Sequence, residues 1–262
     1  MTDGHDARFA RTVDLYDPEG FARVRGGGVV VAGLGGVGAH AAIALARSGI
    51  GRLLLIDCDT LSRTSLNRHP VAGPLDVGRP KVEVVRDHLV QACPDTLVAV
   101  SASRIEDATL ATLLRDDDVM VHGVLLDAID SVDHKVALLA HAVGQGRVAV
   151  SSLGAAGKVD PGQVRSGTLE ESRVCPLGRV VRRGLRRHGV APSRIQAVWS
   201  EEAPRKPDPV GPGGGVPDAF GRHRRQPSNM MLPGMFGFAL AALAIGSLAG
   251  GGGWSRDRRP SR

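Results

Sequence analysis

The run Val29-Val-Val-Ala-Gly-Leu-Gly-Gly-Val-Gly38 constrains the fold of this 262-residue chain more than any other segment. Val29 to Ala32 is a short β-branched run of the kind that forms a buried parallel strand. Gly33, Gly35, Gly36 and Gly38 interrupt it, and Ala39 to Arg47 reads as a helix ended by Ser48-Gly-Ile-Gly51. Leu53 to Ile56 is a second buried strand, and Asp57 stands at its carboxyl end, where a ribose-binding acid belongs. Glycines let the backbone turn sharply and approach phosphate oxygens. The helix N-terminus adds unpaired N–H groups and the positive end of a dipole. The pattern predicts a bound nucleotide. A glycine-rich turn with no ligand is the alternative, and the flanking strand and helix weigh against it.

The residues after the second strand decide which nucleotide is bound. A dinucleotide-dependent dehydrogenase satisfies the glycines alone, but hydride transfer needs few cations beside the pyrophosphate. An enzyme that expels pyrophosphate needs several, because negative charge builds on the β-phosphate as the α-phosphorus is attacked. The segment Asp57-Cys-Asp-Thr-Leu-Ser-Arg-Thr-Ser-Leu-Asn-Arg-His69, with Gly78-Arg-Pro-Lys81 after it, supplies them. Arg68 and Lys81 are the cations and Asn67 a neutral donor. Singly, each reads as a surface residue; together, between the second strand and the next helix, they favour ATP over a nicotinamide cofactor.

On these residues the chain resembles the ubiquitin-activating-enzyme-like adenylyltransferases, the superfamily of the thiamine- and molybdopterin-pathway sulfur-carrier activators. The Gly-x-Gly-Gly-x-Gly, Asp-x-Asp, Leu-Asn-Arg and Gly-x-Pro-Lys elements are similar in order and spacing. The resemblance implies that Asp57 binds the ATP ribose and that Asn67, Arg68 and Lys81 contact the triphosphate. It implies that Asp130, in Leu126-Asp-Ala-Ile-Asp-Ser131, holds Mg2+ or positions ATP, and that Arg11 reaches the ATP of a partner subunit in a homodimer. His69 departs from the pattern, which has Gln there.

Within the superfamily, sulfur-carrier activators carry two Cys-x-x-Cys pairs for a structural zinc and a catalytic thiol. Here Cys58, Cys93 and Cys175 make no pair at zinc spacing, so no structural zinc is predicted. The segment from Asp127 to Val132 with Lys135, then Gly154-Ala-Ala-Gly-Lys-Val-Asp-Pro161, Cys175-Pro-Leu and Val198-Trp-Ser-Glu, is similar to the tRNA threonylcarbamoyladenosine dehydratases. That resemblance implies adenylylation of a threonyl carboxylate beside the anticodon, with the carbamoyl group closing a ring and expelling AMP. The protein's part is positioning and charge stabilisation, so no covalent catalyst is required and Cys175 reads as an incidental or buried cysteine. The competing reading is an adenylyltransferase for the C-terminal carboxylate of a sulfur-carrier protein or peptide. A nucleotide-binding module without turnover is disfavoured by the full set of ATP-contacting residues.

The formal net charge of +6 is compatible with a polyanionic partner, and its distribution is more telling. Arg179, Arg182, Arg183, Arg186 and Arg187 recur at helical spacing, with Leu177, Val181 and Leu185 opposite them. Five arginines without interspersed acids predict a phosphate-binding face for tRNA. Only 3% of residues are aromatic, so recognition of a folded RNA by shape and phosphate fits better than base stacking.

The order of elements predicts an α/β fold, a doubly wound, mostly parallel Rossmann-like sheet with an elaborated C-terminal part. A helix from Lys81 to Gln91, a strand at Leu97 to Val100, a helical stretch at Glu106 to Leu114 and a strand at Val119 to Val121, extendable to Leu126, come after the second strand. A helix from Asp133 to Val143 and a strand at Val148 to Ser151 complete this part. Residues 1–155 form the ATP-binding core and 156–203 a basic substrate-binding region. Residues 204–228, rich in Pro, Gly and Arg, read as a mobile loop, 229–249 as a buried helix, and 250–262 as a disordered basic tail. The uncharged run from Met230 to Ala249 is long enough to span a membrane, but Pro233, Gly234 and Gly237 interrupt it, and a soluble core helix is the expectation. Polar first residues and few cysteines predict a cytoplasmic protein.

Overall fold

The computed structural model describes residues 7–114, 123–205, 216–217, 223–224 and 227–250. Its centre is a seven-stranded sheet of β1 (Gly28–Ala32), β2 (Arg52–Ile56), β3 (Leu97–Ser101), β4 (Val124–Asp127), β5 (Val148–Ser152), β6 (Val164–Thr168) and β7 (Gln196–Ser200). The spatial order is β3-β2-β1-β4-β5-β7-β6. Every neighbouring pair is parallel except β6 and β7, which are antiparallel at one edge. This is the doubly wound, mostly parallel sheet that the alternating pattern predicts.

Strand periodicity divides the core in two. Val29 and Val31 of β1 face a cluster built with α2 (Gly36–Arg47), α3 (Lys81–Ala92) and α7 (Met231–Leu248). Val30 and Ala32 face the other cluster, built with α4 (Asp107–Leu113), α5 (Val132–Gly144) and α6 (Pro176–Arg187). With helices on both faces, all five residues of β1 are buried, which is why its sequence reads as a continuous apolar run.

Two elements carry no apolar signature. The helix α1 (Ala10–Gly26) is broken at Asp17, whose φ of 58° interrupts it before Pro18; the Asp17 carboxylate then accepts the Gly20 N–H at 2.7 Å. The strand β6 (Val-Arg-Ser-Gly-Thr) lies on the sheet edge, where burial on both faces is not demanded. The Val119–Val121 segment lies outside the described residues, and the strand beside β1 is Val124–Asp127. The loop predicted at 204–228 lies mostly outside them too, apart from its ends (Pro204, Arg205, Pro227 and Ser228) and the antiparallel pair β8 (Val216–Pro217) and β9 (His223–Arg224). Residues 251–262 are likewise outside.

The interrupted apolar run forms α7, which packs on α2 and across β4, β5 and β7. Its glycines make that contact possible: a Cβ on Gly237 would stand 2.5 Å from the Val37 carbonyl oxygen of α2. Among the described residues α7 is the one helix long and apolar enough to cross a membrane, and half of it is buried inside the fold. The helix α6 runs from Leu153, just after β5, to Val136 in the first turns of α5; Cβ atoms on its Gly178 and Gly184 would approach those side chains to 2.8 and 2.6 Å. It therefore crosses its face of the sheet near the carboxyl ends of the strands.

Candidate active site

Strand order reverses between β1 and β4, and the loops leaving these two strands diverge there, opening a crevice at their carboxyl ends. The glycine loop forms one side, with α2 beginning at Gly36, three residues earlier than the sequence predicts. Gly33 has φ of +88°, and a Cβ there would lie 2.8 Å from the backbone of Ala128 in the loop after β4. A Cβ on Gly38 would lie 1.8 Å from the Gly33 carbonyl oxygen, and one on Gly36 would press on Pro233 and on Arg68 at 3.1 and 3.2 Å. Gly35 is different. Its φ is an ordinary −74° and nothing of the protein lies within 4 Å of its Cβ direction. Its bareness has no internal packing cause and suits backbone approach by a phosphate. Neither a side-chain cap nor an acid occupies the first turn of α2, so its N–H groups and dipole are open to an anion.

Asp57 follows β2, its carboxylate 8% exposed, and accepts the Leu34 N–H at 2.6 Å and the Asp59 N–H at 2.8 Å. Asp57 is thereby tied to the glycine loop. Lys81 opens α3 with its Nζ 2.6 Å from Asp59 Oδ2 and 3.5 Å from Asp57 Oδ2. Its side chain is 13% exposed, less than the surface residue it reads as when taken singly in the sequence; two carboxylates draw it down. Arg68 lays its aliphatic stem over Gly36 and donates to the Thr64 carbonyl at 2.6 Å and to Asn67 Oδ1 at 3.2 Å. Asn67 donates to the Ser228 carbonyl at 2.9 Å, joining the site to the chain segment before α7. Asp59 is visible in the sequence as the second acid of Asp-x-Asp, but its partnership with Lys81 needs the fold to bring α3 back beside β2.

Between the two cations His69 is buried and its pKa is lowered to about 4, first by burial, then by Lys81, His40 and Arg68, with the Leu34 backbone pulling the other way. On the β4 side, Asp127 and Lys135 form a fully buried ion pair at 2.5 Å. Ser151 donates to the same carboxylate at 2.6 Å, and Lys135 also donates to the Ser152 carbonyl at 3.0 Å. Burial pushes the Asp127 carboxyl upward, while the Lys135 ammonium, the Ser151 hydroxyl and the Ile129 N–H oppose it. The pair anchors the loop whose exposed tip is Asp130. Among the described residues no three His, Cys, Asp or Glu side chains converge as a protein-only metal site.

Gly33, Gly35, Gly36, Gly38, Asp57, Asn67, Arg68 and Lys81 thus come together, with Asp130 in the facing loop. Arg11 does not join them. Arg8 is ion-paired with Asp95 and Phe9 lies against Gly49, both at the amino ends of strands, so Arg11 on α1 sits at the opposite end of the sheet.

The five arginines of α6 line a shallow depression of about 410 Å³. They are not equivalent. Arg182 is half-buried and donates to the Ser172 carbonyl at 2.7 Å and to the Ser172 hydroxyl. Arg186 is ion-paired with Glu170, an acid that precedes the helix and that helical periodicity alone does not reveal. Arg179, Arg183 and Arg187 are exposed. Cys175 is the buried N-cap of α6, its sulfur accepting the Gly178 N–H at 3.5 Å.

A family model described as the ThiF family matches residues 9–186. The chain is 38% identical over 186 residues to tRNA threonylcarbamoyladenosine dehydratase 2 of Saccharomyces cerevisiae, covering 69% of this chain and 39% of that one. It is 31% identical over 199 residues to tRNA threonylcarbamoyladenosine dehydratase of Bacillus subtilis, covering 75% and 76%. The chain therefore spans about two fifths of the yeast relative and about three quarters of the bacterial one. Among solved structures, the E. coli tRNA N6-threonylcarbamoyladenosine dehydratase in complex with ATP superimposes with a TM-score of 0.79 at 29% identity, covering 94% of this chain and 96% of that one.

Proposed function

This chain belongs to the ThiF family, and from that premise we propose that it is an ATP-dependent tRNA threonylcarbamoyladenosine dehydratase acting in the cytoplasm. The observation that carries the reading is the likeness, over nearly the whole of both chains, to a dehydratase in complex with ATP, together with a glycine cradle whose Gly35 faces no protein atom.

The groups at the crevice dictate the chemistry. The threonyl carboxylate is a poor electrophile because oxide is a poor leaving group. Attack of its oxygen on the α-phosphorus forms the acyl adenylate and expels pyrophosphate. The carbamoyl group then attacks the acyl carbon, closes the ring and releases AMP, which keeps the carboxylate oxygen. The substrate has lost one water. Arg68 and Lys81 neutralise charge as it develops on the departing pyrophosphate, and Asn67 donates to the triphosphate. Asp57 receives the ribose and orients the nucleotide. Asp130 would hold Mg2+, which when bound would supply further charge neutralisation on the phosphates. No structural zinc takes part, and no side chain forms a covalent bond to substrate.

The tRNA lies along α6, whose exposed arginines border the same end of the sheet as the crevice. A homodimer completes the site: Arg11, at the far end of its own sheet, serves the ATP of the partner. The division into a core of residues 1–155, a basic substrate region at 156–203 and the helix within 229–249 carries this layout; the protein is soluble and α7 a core helix.

The test is incubation with ATP, Mg2+ and tRNA carrying threonylcarbamoyladenosine, followed by mass spectrometry of the nucleosides. The expected product is the cyclised base, lighter by one water, with AMP formed in equal amount. Unchanged nucleoside would overturn the reading.

A further inference from the structure

Beside the arginine depression lies a second one, of about 430 Å³, that the chemistry above does not use. Its size is within the range of small-molecule clefts, about 300 Å³ upward. It opens where the end of α6 crosses the first turns of α5, with Glu106 ahead of α4 on the third side. Two features place it between the arginines and the crevice. Arg187 lines both depressions, so the one adjoins the other. Val132 and Asp133 follow closely on Asp130, so the groove also begins at the loop that faces the glycine cradle.

The lining sorts into a floor and a rim. Val136, Ala137 and Gly184 make an apolar floor, to which Gly184 contributes bare backbone because a Cβ there would meet Val136 at 2.6 Å. The rim carries both signs of charge: the carboxylates of Glu106 and Asp133, the imidazoles of His134 and His188, and the guanidinium of Arg187. Among the described residues, the side chains of Asp133, His134, Arg187 and His188 make no hydrogen bond or ion pair within the protein. A metal ion does not suit the groove, since no three His, Cys, Asp or Glu side chains converge as a metal site among the described residues. A lone phosphate does not suit it either, because two carboxylates repel it. A flat heteroaromatic ring does: its face stacks on imidazole or guanidinium planes over the apolar floor. Its edge offers N–H donors to the carboxylates and acceptors to Arg187 and the histidines.

We propose that this groove takes one unpaired nucleobase of the substrate RNA, a neighbour of the reacting nucleotide, while Arg179, Arg183 and Arg187 hold the strand's phosphates. These three arginines recur every four residues on one side of α6, about 6 Å from one to the next along the helix. A strand laid along them reaches Arg187 and turns its next base into the groove. Phe, Trp and Tyr make up 3% of the chain, and here histidine and arginine supply the stacking planes in their place. A base gripped beside the Asp130 loop fixes the reacting nucleotide relative to ATP, which phosphate contacts alone do not. The inference rests on RNA being the acceptor and names the part of it, beyond the phosphates, that the chain holds.

The test uses the full chain and synthetic anticodon stem-loop RNAs containing threonylcarbamoyladenosine, either intact or with a single abasic nucleotide on one side of it. Binding is read by fluorescence anisotropy at several salt concentrations. For the wild-type chain, one of the two abasic positions is expected to weaken binding about tenfold, the scale of one lost stacking contact. Ala137→Leu, which fills the floor, and His134→Ala, which removes a ring from the rim, should each weaken binding of the intact RNA by a similar factor. In both variants that abasic RNA should then bind no worse than the intact one, because base and groove are already parted. The salt slope should keep its wild-type value, since no phosphate contact is lost, and ATP affinity should hold. His134 is half-buried at the rim, so its variant carries the test even if Ala137→Leu fails to fold. An abasic loss that persists undiminished in the variants would overturn the groove, as would a salt slope that falls with affinity. A drop in ATP affinity in His134→Ala would assign the groove to ATP and overturn the proposal as well. In all three cases the RNA reading stands, whereas a wild-type chain that binds no RNA would overturn that reading and the groove together.

Discussion

The glycine loop and the arginine helix both present positive charge at the carboxyl end of the sheet, but they hold it in opposite ways. In the loop, charge comes from backbone N–H groups, a helix dipole and two cations half-sunk against carboxylates and glycine. Nearly every atom there is fixed by something else: Gly33 by the Ala128 backbone, Asp57 by Leu34, Lys81 by Asp59. On α6, charge comes from long side chains, four of them exposed, with Arg182 and Arg186 tied to neighbours. The first arrangement suits a small ligand whose phosphates must be placed to a fraction of an ångström. The second suits a large polyanion that needs attraction more than exact placement.

Removing the cations of the fixed region should have the largest effect. Arg68→Ala and Lys81→Ala are each expected to lower adenylylation about 10²- to 10³-fold, the range for losing one charge-stabilising group, measured as AMP formation. Thermal unfolding should be little changed, because neither side chain fills the core. Melting of both variants at room temperature would break the assignment.

The glycines sharpen the contrast between ligand-bearing and fold-bearing positions. Gly38→Ala puts a Cβ into the Gly33 carbonyl and is expected to destabilise the fold by several kcal/mol, about the scale of severe overpacking. Gly35→Ala meets no protein atom, so circular dichroism melting should hold while ATP affinity drops. Equal melting losses in both would remove the case for a ligand at Gly35.

His69 gives the fixed region a pH signature. Its folded pKa of about 4 lies below the ordinary 6.5, so between these values the unfolded chain binds a proton that the folded chain refuses. Stability is therefore lost as pH falls from about 6.5 toward 4, by about 3 kcal/mol at the lower end. Urea titrations at pH 7 and pH 4.5 check this, and His69→Gln should lose less over the same interval.

The smallest effects belong to the arginine helix. Charge reversal at Arg183 should weaken tRNA binding and lower the salt slope by about one for each phosphate no longer neutralised, leaving ATP affinity intact. Reversal at Arg186 also places two acids together at Glu170, so its tRNA effect should come with a loss of stability of up to about 1 kcal/mol. Arg182→Ala should act mainly on stability, by about 1 to 3 kcal/mol, because the Ser172 carbonyl and hydroxyl lose their donor. Identical behaviour of all three would mean the helix is one undifferentiated charged surface.

The same contrast explains what can be read from the chain. The strands β1, β2 and β5 are legible because burial forces continuous apolar runs, while β4 begins at Val124, after the predicted Val119–Val121, and the glycines announce the turn between β1 and α2. The broken helix α1 and the edge strand β6 are not, since one is interrupted by Asp17 and Pro18 and the other is polar and half-solvated. Within the site, Asp57, Arg68 and Lys81 can be named from spacing, yet the burial of Lys81 and of His69 depends on how α3 and the loop before it fold back. On α6 the periodicity places five arginines on one helix, but Ser172 and Glu170 lie before it and are brought to Arg182 and Arg186 by tertiary structure.

In the proposed function one crevice couples ATP cleavage to tRNA. Pyrophosphate release by the wild-type chain, measured with threonylcarbamoyladenosine-modified tRNA and separately with a small carrier protein ending in Gly-Gly, tests it most directly. Release is expected to depend on the modified tRNA and to be lost when Lys81 is replaced by alanine. Release that ignores the tRNA and tracks the carrier protein would contradict it.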